Sequence, residues 1–139
     1  MKKKLMFIAT ICLVFILGIV HFVFASESWT DAKRYNIRKG EDWKTTAADW
    51  QKMGANKTTD QNIYEVYTIG KTMWSSPVVR LVNSENYPVS NEIQTAPSGR
   101  IKKGRTNTAQ IGHAYYLSIK PGWNQASENG SIKLQMKNY

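Results

Sequence analysis

From Ile63 onward, apolar and polar positions follow one another with a period of two. Ile63–Ile69 (IYEVYTI) is rich in β-branched and aromatic residues and stops at Gly70. Val78–Val82 (VVRLV) opens behind Pro77, a residue that suits the first position of a strand. Val89–Thr95 reads as a weaker third strand. Thr106–Ile111 and His113–Lys120 follow, parted by Gly112. In the latter, Tyr115, Leu117 and Ile119 share one side. Ser131–Lys137 alternates most cleanly, with Ile132, Leu134 and Met136 on one side and Lys133, Gln135 and Lys137 on the other. Such alternation marks antiparallel sheet with one wetted face. Turn clusters at Asn83–Asn86, Pro97–Gly99 and Pro121–Gly122 separate the strands at intervals of roughly ten residues. The pattern predicts an all-β fold, a small antiparallel β-sandwich over residues 61–139.

Residues 26–60 lack this period and read as a polar N-terminal arm. Trp43, Ala47 and Trp50 stand at helical spacing, behind Glu41 and Asp42 and ahead of Gly54. Acidic residues favour a helix start and glycine a helix stop. The spacing predicts one short helix near 42–53, with both tryptophans facing a core, although Thr45 and Thr46 suit a strand equally well. Asn56–Asn62 (NKTTDQN) is a loop between arm and sandwich.

The chain begins with three lysines, an uncharged apolar run from Leu5 to Phe24, and Ala25. A basic stretch, an apolar stretch and small residues before a cleavage point make an export signal over residues 1–25. The run is also long enough to cross a bilayer as an uncleaved anchor over residues 5–24, with Lys2, Lys3 and Lys4 held inside. Under either reading the rest of the chain works outside the cytoplasm, secreted or held at the membrane.

Setting that segment aside changes the composition. It holds the only cysteine, Cys12, and all four phenylalanines, while all five tryptophans and seven tyrosines remain. The 114 residues after Ala25 contain only 16 Leu, Ile and Val, so Trp and Tyr must do much of the packing. They also keep 16 Lys and Arg against 10 Asp and Glu. A basic domain outside the cell meets anionic lipid, wall precursor, wall polymer or another secreted protein rather than nucleic acid.

Catalytic devices are scarce. His113 is the one histidine after Ala25, and no nucleophile elbow accompanies it. One histidine without cysteine cannot supply a zinc set, so no metal or other cofactor is expected. Asp49, Asp60, Glu65, Glu85 and Glu92 lie in no motif that pairs them. The expectation is a binding protein, not an enzyme. Arg100–Arg105 (RIKKGR) is the densest basic run, read as a small hairpin turning at Lys103-Gly104. Its Arg100, Lys102, Lys103 and Arg105 are the candidates for contact with an anionic surface. Trp74, Tyr87 and Trp123 sit beside turns and are candidates for stacking or interfacial contact, membrane contact included.

Several of these segments together resemble the lactococcin-type secreted bacteriocins and a neighbouring family of small secreted proteins of Gram-positive bacteria. The resemblance runs over roughly Thr72–Met136. It rests on PVVRLV at Pro77–Val82, the Asn-rich turn with Val89-Ser90, the glycine-bearing basic segment, AQIGHAYYLSI at Ala109–Ile119, and the last strand. It implies a two-sheet antiparallel sandwich released outside the cell and acting at a bacterial envelope. Bacteriocins of this type are thought to bind the lipid-linked wall precursor and stop septum formation. A structural or accessory role, in immunity or partner binding, is the alternative, and no functional residue is carried over.

Overall fold

The structure, a computed structural model, describes residues 28–45, 53–122 and 129–139. The apolar N-terminal run, Trp50 and Trp123 lie outside them. The described residues form nine strands: β1 (Lys33–Ile37), β2 (Lys44–Thr45), β3 (Gly54–Asn56), β4 (Ile63–Lys71), β5 (Val78–Val82), β6 (Ile93–Gln94), β7 (Arg100–Arg105), β8 (Ala114–Lys120) and β9 (Gly130–Asn138). The described residues contain no helix.

The strands form two antiparallel sheets. Sheet A has the order β1-β9-β4-β7. Sheet B has the order β2-β8-β5-β6, with β3 joining β8 on the same side as β2. The sheets bury their facing sides in one core. Tyr35 and Ile37 of β1, Val66 of β4 and Ile132, Leu134 and Met136 of β9 meet Val79 and Leu81 of β5 and Leu117 and Ile119 of β8. Each is 1% exposed or less, as period-two burial requires. The long strands predicted from alternation are present, and the sandwich is as expected.

Several local readings need correction. Residues 26–60 are not an arm before the sandwich, because they supply β1, β2 and β3. β1 pairs with β9 from Lys33↔Leu134 to Ile37↔Gly130, so the two ends of the described chain close sheet A. No helix starts at 42. Glu41 instead closes a turn, its carboxylate accepting from the Arg38 amide at 2.8 Å and from Lys44 Nζ at 2.7 Å. Lys44 and Thr45 then pair with Ile119 and Ser118 of β8. Sheet pairing outweighs the weak helical spacing here, and the middle of the predicted helix lies outside the described residues.

RIKKGR is a strand and not a hairpin. Nine-residue β4 offers a ladder long enough to pair all six residues, Ile63↔Arg105 through Thr68↔Arg100. Gly104 serves packing and not a turn: a Cβ there would lie 2.2 Å from the Tyr64 ring. Gly54 of β3 stands in the same relation to Tyr116 of β8, where a Cβ would come within 2.8 Å. In both sheets a tyrosine on an inner strand covers a glycine on an outer one, which protects the thin edge. Val89–Thr95 narrows to β6 and a bridge from Ser90 to Thr106. Thr106–Ile111 is not a strand beyond that bridge, and Gly112, at φ +83°, turns the chain into β8.

Candidate functional site

The outer face of sheet A is built by residues that stand opposite one another in the ladders. One row holds Arg105 and Ile63, with Tyr139 beside them. The next holds Lys103, Glu65 and Lys137, and the third Ile101, Tyr67 and Gln135. Beyond a β-bulge between Thr68 and Gly70, the fourth holds Gly70, Lys133 and Arg34. Among the described residues of these ladders, five cations therefore share this face with one carboxylate. They surround an apolar middle in which Trp29 packs edge-on against Tyr67, ring centroids 6.1 Å apart, next to half-exposed Ile101.

That carboxylate is already engaged. Glu65 Oε1 lies 2.9 Å from Lys103 Nζ, and Glu65 Oε2 accepts from the Tyr139 hydroxyl at 3.0 Å. Burial by itself raises the Glu65 pKa. The hydrogen bonds from Lys103 and Tyr139, with the charges of Lys103 and Lys137, outweigh burial and hold it below the usual carboxylate range. The same hydrogen bond, first, and the charge of Glu65 raise the pKa of Lys103. Lys103 is thus neutralised within the protein. Among the described residues, Arg34 and Lys133 have no ion pair and no side-chain hydrogen bond, although they stand directly opposite each other. Like charges so placed repel.

The four basic residues singled out from the sequence do not act as one loop. Period two puts Lys103 and Arg105 on the outer face and Arg100 and Lys102 on the core side of β7. All four are exposed, so sheet B does not cover this edge of sheet A. Trp74 and Tyr87 are also exposed, at 94% and 65%, but they lie at opposite ends of β5. Trp74 rides on the loop after β4. There Lys71 Nζ donates to the carbonyls of Trp74 (3.0 Å) and Ser75 (2.9 Å) and to Ser76 Oγ (3.3 Å). Tyr87 closes the turn in which Asn83 Oδ1 accepts from the amides of Glu85 and Tyr87 and Asn86 adopts φ +67°. Sequence reasoning missed Arg34. Its signal was the alternation in KRYNI, with Tyr35 and Ile37 inward and Arg34 outward.

Sheet B treats its cations differently. The Arg80 guanidinium lies 3.9 Å and Lys120 Nζ 4.3 Å from the centre of the Trp43 ring. Both also face Glu92, at 3.6 and 3.5 Å. Trp43 is therefore a lid on paired charges, outside the core cluster where the helical spacing had put it. At the far end of the sandwich, a polar cleft of about 300 Å³ includes Asn83, Glu85, His113 and Tyr115 in its walls. The Tyr115 hydroxyl there accepts from the Gln110 amide at 2.6 Å. No cluster of three His, Cys, Asp or Glu able to hold a metal occurs among the described residues. No helix among them is long and apolar enough to cross a membrane.

Set against known proteins, the chain matches no family model, no curated protein and no solved structure.

Proposed function

We propose that this chain is a secreted, non-enzymatic β-sandwich that acts at a bacterial cell envelope, in the manner of a bacteriocin. It would seat the outer face of sheet A on an anionic envelope component. One observation carries the reading: that face presents five cations and a single carboxylate, and the carboxylate is consumed by Lys103 and Tyr139. An excess of positive charge around an aromatic centre suits a surface of phosphate groups. The alternative, a structural or accessory module for immunity or partner binding, draws on the edge position of β7, whose exposed Arg100 and Lys102 a partner could meet.

The test compares the full chain on vesicles of phosphatidylglycerol and of phosphatidylcholine, and on a soluble glycerol-phosphate polymer, over a salt series. The apolar N-terminal run contributes to both vesicle types, so the difference between them reports the charged face. Exchange of Arg34, Arg105, Lys133 and Lys137 for Gln is expected to weaken binding to the anionic targets by about tenfold or more and to flatten the salt dependence. Equal charge removal at Arg38, Lys39, Arg100 and Lys102 should do much less. Equal losses from the two sets would refute the assignment to this face. Growth of bacteria exposed to the protein separates toxin from accessory: inhibition supports the first, and its absence with intact binding supports the second.

A further inference from the structure

The bulge in β4 makes a feature that the general charge of the face does not explain. Thr68 pairs with Leu134 and Gly70 with Lys133, so Ile69 is the extra residue. A cleft of about 310 Å³ opens there, walled by Arg34, Ile69, Gly70, Thr72, Ser131 and Lys133. Lys71 also borders it, but its ammonium group is spent on the loop that carries Trp74. Among the described residues, no carboxylate lines this cleft.

Its chemistry has three parts. Arg34 and Lys133 are opposed across β1 and β9, which puts their Cβ atoms about 5 Å apart, close enough to hold one tetrahedral anion between their tips. Thr72 Oγ1 and Ser131 Oγ lie 3.5 Å apart; Thr72 Oγ1 accepts from the Ser131 amide at 2.9 Å and donates to the Ser131 carbonyl at 3.4 Å, which leaves the Ser131 hydroxyl as the donor to an oxygen anion. Ile69 and the bare backbone of Gly70 add an apolar part to the lining. Beside it, on the loop held by Lys71, Trp74 is 94% exposed, a placement that suits the layer between headgroups and acyl chains.

We propose that the bulge cleft is a headgroup site for an anionic phospholipid. Arg34 and Lys133 take the phosphate, the Ser131 hydroxyl one of its remaining oxygens, Ile69 and Gly70 the glycerol carbons, and Trp74 enters the interface. This rests on the envelope reading and narrows it to one ligand class and one pocket.

The test follows the backbone amides of the ¹⁵N-labelled full chain during titration with dihexanoyl phosphatidylglycerol below its micelle concentration. Dihexanoyl phosphatidylcholine, glycerol 3-phosphate and inorganic phosphate are the comparisons. Saturable shifts at Gly70, Thr72, Ser131 and Lys133 are expected with phosphatidylglycerol, with at least tenfold weaker binding of the others. A Cβ at Gly70 would meet nothing within 4 Å, so Gly70→Leu fills the cleft without a clash and should weaken binding at least tenfold. Arg34→Gln with Lys133→Gln, both at exposed positions, should do the same should the leucine perturb the strand. Trp74→Ala should spare the soluble lipid and reduce retention on vesicles. Inorganic phosphate binding as tightly as the lipid would overturn the lipid assignment. Shifts scattered over all the cations of the face, unchanged by Gly70→Leu, would overturn the cleft and leave the envelope reading intact. Failure of the unaltered chain to prefer phosphatidylglycerol vesicles would overturn both.

Discussion

Gly104→Ala tests how β7, and the charges it carries, are held on sheet A. Gly104 lies opposite Tyr64, and the added methyl would sit 2.2 Å from Cε1, 2.3 Å from Cζ and 2.6 Å from the hydroxyl oxygen of that ring. The ring cannot turn aside freely. Tyr64 is wholly buried, and its hydroxyl donates to the Asn91 carbonyl at 2.9 Å. Burial first of all pushes the hydroxyl pKa up to about 12, so it stays a neutral donor at any ordinary pH. Overpacking costs about 1–3 kcal/mol. Losing the hydrogen bond as the ring shifts adds about 1 kcal/mol. Gly104 does not use the left-handed region, so alanine returns about 0.4–1 kcal/mol of unfolded-state entropy. The net loss is about 1–3 kcal/mol, a sizeable share of the 5–15 kcal/mol typical of a domain. Urea unfolding read by tryptophan fluorescence and circular dichroism should show the midpoint falling by about 1 M at unchanged slope. Tyr64→Leu removes the ring edge that the methyl strikes. The double variant should therefore be more stable than the two single losses sum to, by about 1 kcal/mol or more. A stability for Gly104→Ala within about 0.5 kcal/mol of the unaltered chain, or strict additivity in the pair, refutes this account of the close approach.

Other outcomes follow from buried polar groups. Glu65 has a depressed folded pKa, so its stabilisation is present above the unfolded value of about 4.3 and is lost as pH falls through the folded value. Glu65→Gln should cost about 1–2 kcal/mol at pH 7 and remove this part of the acid limb in a series of urea melts between pH 2 and 7. Thr68 is fully buried and its Oγ1 has no partner among the described residues. Thr68→Val, the same shape without the hydroxyl, should raise stability by about 1 kcal/mol, and a fall in the urea midpoint would contradict it. Lys57 is 2% exposed and its ammonium donates to the carbonyls of Gln61 and of Tyr139, the latter at 3.0 Å. Lys57→Met should cost about 1–3 kcal/mol by leaving both without this donor, and it should speed exchange of the Tyr139 amide, which bonds the Ile63 carbonyl.

What could be read in advance was whatever had a local period. HAYYLSIK and SIKLQMK alternate because each is an inner strand with one face in the core, and their inward apolar residues are buried, although Ser118 on the other side of β8 is buried too. KRYNI has the same alternation, but only Tyr35 and Ile37 mark it, and its partner β9 lies about a hundred positions on. β2 and β3, of two and three residues, exist only because β8 offers them a ladder. The basic run RIKKGR was visible as charge, yet its glycine looked like a turn because nothing near it in the sequence reveals Tyr64. The site shows the same limit. Lys133 was readable as outward from its apolar neighbours, but its opposition to Arg34 and the bulge that opens the cleft are products of pairing between distant segments.

The two sheets handle charge by different rules, and stability does not explain the difference. The three strand cations of sheet B, Lys44, Arg80 and Lys120, each face a carboxylate, at 2.7, 3.6 and 3.5 Å. Exposed pairs of this kind are worth about 0–1 kcal/mol each, so sheet A, whose one carboxylate Glu65 pairs with Lys103 at 2.9 Å, loses little by leaving Arg34 and Lys133 without one. The cations of its outer face do affect the surrounding field, but over a short range. Four strands span about 14 Å across, while salt at physiological strength screens charge over about 8 Å. The cations of the face therefore act together only on something already close to it. An anionic partner would be recognised on contact, by the spacing of Arg34 and Lys133 and by the apolar ground between the charges, more than drawn in from a distance. This explains why the bulge matters to the functional reading. There, among the described residues, a depression, the two opposed cations Arg34 and Lys133 and an exposed indole on the adjoining loop coincide.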